Sequence, residues 1–284
     1  MCIRDSRYVA EAFGLALILG IFRILPIDTA SYIGGLTTRI FGKFSNAHLT
    51  ADKNLKLAMP NLSQDDRRII LRGMWDNIGR VIGEYPHINR DIMKTRIKVV
   101  GIEHFDSIKN SKKAAMFVSC HFANWEIAPL AAAINGLPMV LIYRAANNPY
   151  VDSMLRKIRS KYNNGMYSKG REGAQNIIKA IKSNQSVAML VDQKMNDGKA
   201  LLFFGKKAMT ATAATNIAIK MQVPLLVARV VRTKGANYQV TLEAPIIYNK
   251  DKDASQAMQE LHSVFENWIS ELPEQWFWVH NRWG

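Results

Sequence analysis

What this sequence lacks narrows what it can be. Its 284 residues include only two cysteines, Cys2 and Cys120. Two thiols so far apart make neither a disulfide framework nor a zinc signature, and they point to a reducing compartment for the main domain. The six histidines (48, 87, 104, 121, 262 and 280) show no His-x-His or HExxH spacing, so no metal and no other cofactor is expected. No segment is low in complexity and no repeat recurs, which excludes solenoids and arrays. After about residue 50 no linker divides the chain. Helix-turn-helix, RNP and zinc-finger signatures are missing, so a nucleic-acid partner would rest on charge alone and is not expected.

A long apolar run is missing too. Within Tyr8 to Ile27 the uncharged part, Ala12 to Phe22, is eleven residues, where a perpendicular span needs about 20. Glu11 and Arg23 flank it and can snorkel towards the interfaces. The segment therefore reads as a marginal span, an interfacial helix or a buried core helix. No compact basic segment precedes it and no A-x-A site follows it at once, so a cleaved signal peptide is not expected. Arg39, Lys43 and the many basic residues beyond favour the cytoplasm for the rest of the chain. The opening MCIRDS fits no element and reads as a start-site artefact.

What is present is a folded, strongly basic chain. It is 48% hydrophobic and 21% charged, with six tryptophans and a formal net charge of +15. That composition argues against disorder, and the charge points towards an anionic membrane, an acidic carrier protein or nucleic acid. Helical periodicity runs from Asp65 to Glu84 and stops at Pro86. Strands are expected at 114–119, 139–143, 186–191, 224–232 and 238–247. Helices are expected at 125–134, 171–182, 211–221 and 254–270. Alternating strands and helices predict an α/β fold with a mixed, mostly parallel central sheet flanked by helices.

Active residues of such sheets gather at the carboxyl ends of strands. Two apolar strands end in polar clusters, Ser119-Cys120-His121-Phe122-Ala123-Asn124-Trp125-Glu126 and Asp192-Gln193-Lys194. On one continuous helix His121 and Glu126 would lie about 140° apart. With His121 in the turn and Glu126 in the first helical turn they can meet. Glu126 would then accept the Nδ1–H and leave Nε2 as a base. A hydrogen-bonded core histidine and a solvated glutamate would give the same spacing. Cys120 adjoins His121, but neighbours on an extended segment point to opposite faces, so a buried thiol is the plainer reading.

CHFANWEIA resembles the His-x4-acidic motif of the lysophospholipid acyltransferase superfamily. More narrowly, the chain is similar to the bacterial lipid A biosynthesis (lauroyl/myristoyl) acyltransferases, with Glu where the superfamily usually has Asp. Agreement extends to YRAANNP (Tyr143 to Pro149) and the Arg-rich segment after it, to VDQK (Val191 to Lys194), to PLLVARVVR (Pro224 to Arg232) and to PEQWFWVHNRW (Pro273 to Trp283). The resemblance runs from about residue 8 to the end.

The resemblance implies an acyl carrier protein thioester as donor and a Kdo-modified, phosphorylated glycolipid as acceptor. It also implies attachment to the cytoplasmic face of the bacterial inner membrane. Residues 1–45 would be the N-terminal hydrophobic, membrane-anchoring segment, led by a membrane-associating helix, and 46–284 the catalytic domain. His121 would be the general base and Glu126 its partner, with no covalent acyl-enzyme. Histidine ordinarily titrates near 6.5, which suits the task. Backbone N–H groups after His121 or a nearby arginine would meet the oxyanion. Arg144, Arg159 (with Arg156 as its neighbouring candidate) and Asp192 would bind substrate. Each is equally open to a bland reading, as a surface charge or a turn aspartate. Phe203-Phe204-Gly205 and Thr210 are weaker substrate contacts. Trp276, Trp278 and His280 read as structural, or the tryptophans as interfacial. A thioesterase using the same dyad, or an acyltransferase for another glycerolipid or glycolipid, would carry the same residues.

Overall fold

The computed structural model describes residues 3–168 and 170–284. Its helices are α1 (Ile3–Ile24), α2 (Ile27–Phe41), α3 (Asn46–Ala58), α4 (Gln64–Glu84), α5 (Arg90–Met93), α6 (Ile102–Ser111), α7 (Ile127–Ile134), α8 (Pro149–Arg159), α9 (Arg171–Lys182), α10 (Ala213–Met221) and α11 (Ala254–Glu271). Its strands are β1 (Ile97–Val100), β2 (Met116–Ser119), β3 (Val140–Tyr143), β4 (Gly165–Ser168), β5 (Val187–Leu190), β6 (Lys194–Phe203), β7 (Lys206–Thr210), β8 (Leu225–Arg232) and β9 (Tyr238–Leu242).

Seven strands make one sheet in the order β1-β9-β8-β2-β5-β3-β4. Every neighbouring pair is parallel except β8 against β9. The central strand β2 is buried at every position, as expected where helices cover both faces. The chain moves outward from β1 to β2, β3 and β4 through α6, α7 and α8. It then returns to β5 through α9 and to β8 through α10. With right-handed crossovers, α6, α7 and α8 cover one face, and α9 and α10 the other. This is the mostly parallel α/β sheet the sequence led us to expect.

The differences are local. The strand expected over 238–247 stops at Leu242. The stretch around 203–210, for which no element was expected, belongs to a β6–β7 antiparallel hairpin outside the main sheet. Of the opening MCIRDS, Met1 and Cys2 lie outside the described residues, but Ile3 to Ser6 form the first turn of α1 rather than fitting no element.

Among the described residues no helix is long and apolar enough to cross a membrane. Helix α1 is tied to the body instead. Asn148 Nδ2 donates to the Tyr8 carbonyl at 2.8 Å and to Glu11 at 3.1 Å, and His87 Nε2 meets the Phe22 carbonyl at 2.9 Å. Its outer side leaves large apolar groups open, with Phe13 70% and Ile24 82% exposed. Helix α2 lies close on α4 because Gly34 faces Gly79, where a Cβ on either would run into the other's carbonyl. At that crossing Glu84 accepts from Ser31 (2.7 Å) and Asn124 (3.0 Å) and pairs with Arg232 and Tyr238. This network joins α2, α4, β8 and β9 to the loop that follows β2.

Candidate active site

The site grows from the carboxyl ends of β2 and β5, which pair in parallel with Ser119 beside Leu190. That register brings the residues just beyond each strand, His121 and Asp192, to the same edge. Ser119 Oγ donates to the Ala228 carbonyl at 2.6 Å, fixing the end of β2 against β8. Cys120 is fully buried and its thiol is pushed well up, first by burial and then by the Asp192 charge. It is no thiolate nucleophile.

The loop after Cys120 is clamped by a distant segment. The Phe277 N–H donates to the His121 carbonyl at 3.0 Å, and the Ala123 N–H donates to the Gln275 carbonyl at 2.7 Å. Phe122 and Trp276 form an antiparallel bridge. Ala123 is held at φ +48°, a left-handed conformation costly for a residue with a Cβ. The clamp turns the loop so that the imidazole and the next carboxylate diverge.

The carboxylate that meets the imidazole is Asp192, where the spacing had suggested Glu126. Nδ1 of His121 lies 2.7 Å from Asp192 Oδ1, and the His121 backbone N–H donates to Oδ2 at 2.9 Å. The Trp276 indole N–H donates to the same Oδ2, also at 2.9 Å. Asp192 is only 2% exposed. Burial alone would raise its carboxyl, but the His121 charge and these three donors outweigh it and bring the carboxyl down to about 2. An ionised Asp192 fixes the proton on Nδ1 and leaves the lone pair on Nε2. The Gln193 amide nitrogen stands 3.3 Å from that Nε2. Trp125 and Phe277 pack against the ring, with centroids 5.2 and 5.9 Å away, and against each other at 5.4 Å.

Glu126 serves a different partner. It stands at the residue just before α7 without bonding the helix end, is 3% exposed, and accepts from Arg159 Nε at 3.1 and 3.0 Å and from Nη2 at 2.5 Å. Tyr162 Oη adds a bond at 2.7 Å and Tyr85 Oη one at 3.4 Å. Burial would raise the Glu126 carboxyl, yet the Arg159 charge and these bonds hold it below the usual carboxylate range. The guanidinium of Arg159 is raised in return. The sequence suggested Glu126 for the histidine and a substrate for Asp192; in space Asp192 orients the histidine, and Glu126 fixes the arginine.

Arg144 follows β3 at the mouth of the site, exposed, and no described residue pairs with it. Arg156 is exposed on α8 and does not line the cavity. The backbone N–H groups directly after His121 are already committed, Phe122 to the Cys120 carbonyl and Ala123 to Gln275. They are not free for an oxyanion. Phe203 is fully buried, and Thr210 accepts from Arg282 at 2.7 Å; neither reaches the cavity. Trp276 and Trp278 are buried, which removes the interfacial reading for both. Among the described residues no group of three metal-ligating side chains comes together.

Beneath His121 opens a cavity of about 640 Å³. Arg144, Arg159, Gln193 and Lys194 stand among its walls, and the rest is largely apolar. Several contributors were not read as site residues in the sequence. Trp276 and Phe277 sit in a segment noticed only as resemblance, and no local pattern tied them to residue 121. Tyr85 and Tyr162 carried no signal at all.

An imidazole oriented by a buried carboxylate thus stands above a largely apolar cavity. Sequence relationships give this chain its family. The profile described as bacterial lipid A biosynthesis acyltransferase matches residues 3–284, and the chain belongs to that family. It is an acyltransferase of lipid A biosynthesis. It is 27% identical over 241 residues to the lipid A biosynthesis lauroyltransferase of Escherichia coli (strain K12), covering 81% of this chain and 76% of that one. It is 25% identical over 291 residues to the lipid A biosynthesis palmitoleoyltransferase of the same organism, covering 97% and 91%. Among solved structures, the 1-acyl-sn-glycerophosphate (LPA) acyltransferase of Thermotoga maritima matches at 14% identity and a TM-score of 0.40, over 88% of this chain and 96% of that chain.

Proposed function

We propose that this enzyme moves a fatty acyl group from an acyl carrier protein thioester to a hydroxyl of a phosphorylated, Kdo-lipid IVA type lipid A precursor, with His121 as general base and Asp192 as its orienting partner. The observation that carries the mechanism is the 2.7 Å contact between His121 Nδ1 and the buried Asp192, on the wall of an apolar cavity. Nε2 removes the hydroxyl proton as the oxygen attacks the thioester carbonyl. The carbon–sulfur bond then breaks, and the leaving thiolate takes the proton back from the imidazolium. Asp192 stays ionised throughout and stabilises the charged ring. Glu126 acts as a positioning residue that holds Arg159 at the cavity wall. Arg144, exposed at the mouth, offers a fork for an acceptor phosphate.

The enzyme works at the cytoplasmic face of the inner membrane, with residues 1–45 as its membrane-associating segment. The apolar side chains left open on α1 and the net charge of +15 support embedding at an anionic surface.

The test uses purified enzyme in detergent, carrier protein loaded with labelled acyl chains, and the lipid A precursor present or omitted. Labelled lipid that requires the acceptor and is lost in His121→Ala is the expected result. Free fatty acid formed equally without acceptor would replace this reading with a thioesterase. Transfer only to a glycerophospholipid would replace the acceptor.

A further inference from the structure

Strand β5 lies inside the seven-stranded sheet, with β2 on one side and β3 on the other. An interior strand of a parallel sheet is normally sealed on both faces. Yet of its four residues only Val187 is buried, while Ala188, Met189 and Leu190 are all partly open. Consecutive strand residues point to opposite faces. Free space therefore exists on both sides of the sheet at this point.

The cavity walls show the same division. They include Phe117 with Val118, Leu141 with Ile142, and Ala188 with Met189, three neighbouring pairs from three adjacent strands. Phe117, Ala188 and Leu141 share one level and one face by strand register. That face carries α6, because the Phe105 and Phe117 rings meet at 5.8 Å. Ala128 of α7 lines the cavity there. The opposite face contributes Ala174 and Ile177 of α9 and Ala214 of α10. The cavity is thus a saddle over the carboxyl edge of the sheet, with His121 at its crest and one arm down each face.

We propose that the two arms hold two different hydrocarbon chains, the donor's acyl chain in one and the hydroxyacyl chain of the acceptor in the other. This rests on the acceptor reading given above. A thioester carbon and a hydroxyl oxygen, each borne on a hydrocarbon chain, must meet at His121 Nε2, and their chains then need separate exits. The α9 arm shows apolar walls: Val118, Ile142, Met189, Ala174, Ile177 and Ala214. The amide-bearing pantetheine of a carrier protein would find no hydrogen-bond partners among these side chains, which disfavours it as the occupant.

Each arm can be narrowed alone. Ala128→Leu fills the α7 arm and Ala174→Leu the α9 arm. Both positions are partly open and helical, where leucine is well tolerated. The full-length enzyme in detergent is assayed with carrier-protein donors from decanoyl to palmitoyl, against synthetic glucosamine phosphate acceptors whose 3-hydroxyacyl chain varies over the same range.

One variant should lower the long-to-short donor rate ratio by about tenfold or more and leave the acceptor ratio unchanged. The other should do the reverse. Both variants moving the same ratio would overturn the division. So would unchanged ratios in variants that melt like the wild type, or an Ala174→Leu effect confined to carrier-protein KM at every chain length. Should either leucine prevent folding, Ala128→Val and Ala174→Val read the same ratios. A wild type that transfers to none of these acceptors would remove the acceptor reading and this inference with it, a result distinct from transfer with undivided length effects.

Discussion

Two buried carboxylates stand close to one cavity, and their partners separate their tasks. Asp192 faces an imidazole that can gain and lose a proton, while Glu126 faces a guanidinium that cannot. Both are ionised against the cost of burial. Only the first pair can change charge within a catalytic cycle. The second is a fixed dipole in the wall, closed by two tyrosines whose own hydroxyls are pushed upward, chiefly by burial. A buried acid is thus insufficient evidence of a catalytic acid or base; what it is paired with decides the matter.

The comparison breaks or holds on four measurements. Asp192→Asn keeps the shape but frees the tautomer, and kcat should fall by on the order of a thousandfold or more, with a loss of stability on the order of 2 kcal/mol. Steady-state kinetics beside a thermal melt will show this. Glu126→Gln should behave in the opposite sense. It leaves Arg159 with its partner uncharged, so the unfolding free energy in urea should drop by about 3 kcal/mol, while kcat in the surviving fold falls far less than in Asp192→Asn. If Glu126→Gln instead matched Asp192→Asn in kcat without destabilisation, the assignment of partners would be reversed.

Acid unfolding gives a third, smaller effect. The Asp192 carboxyl lies at about 2 when folded, against about 3.9 for a free aspartate. Its folded value is depressed, so its contribution is complete above about pH 4 and is lost as the pH falls towards 2. The loss should be on the order of 2 kcal/mol. Urea titrations across that window should show this loss in the wild type and its absence in Asp192→Asn. Trp276→Phe should have the smallest effect. It removes one donor to Asp192, worth about 1.5 kcal/mol, and should lower kcat roughly tenfold while leaving the KM values close to wild type.

The sequence made the framework legible wherever apolar runs were long or well punctuated. Helix α4 was readable from Ile69, Ile70, Met74 and Ile78, and Ser63 closes its start as part of a capping box. Strands β2, β3, β5 and β8 were readable as buried runs. Strand β4 begins on Gly165 at the sheet edge and β1 is only half-buried, so neither gave an apolar run to notice. His121 and Asp192 were each singled out, but their partnership was not visible. They are 71 residues apart and meet only because β2 and β5 are adjacent in the sheet order. The short separation from His121 to Glu126 suggested a contact that the clamp by residues 275–277 prevents. Local spacing says what can meet in an unconstrained turn, and this turn is constrained from the far end of the chain.

That clamp sets when the enzyme becomes competent during its synthesis. Every strand of the sheet, His121 and Asp192 leave the ribosome before Gln275, Trp276 and Phe277 do. Until those three residues arrive, Asp192 lacks its indole donor, and the His121 and Ala123 backbone groups lack their partners. A nascent chain can therefore pair every strand of the sheet while the base is still unaligned and the cavity still lacks Phe277, Val279, His280 and Asn281. A product released before Trp276 would lack both a finished site and the buried side chains of Trp276 and Trp278.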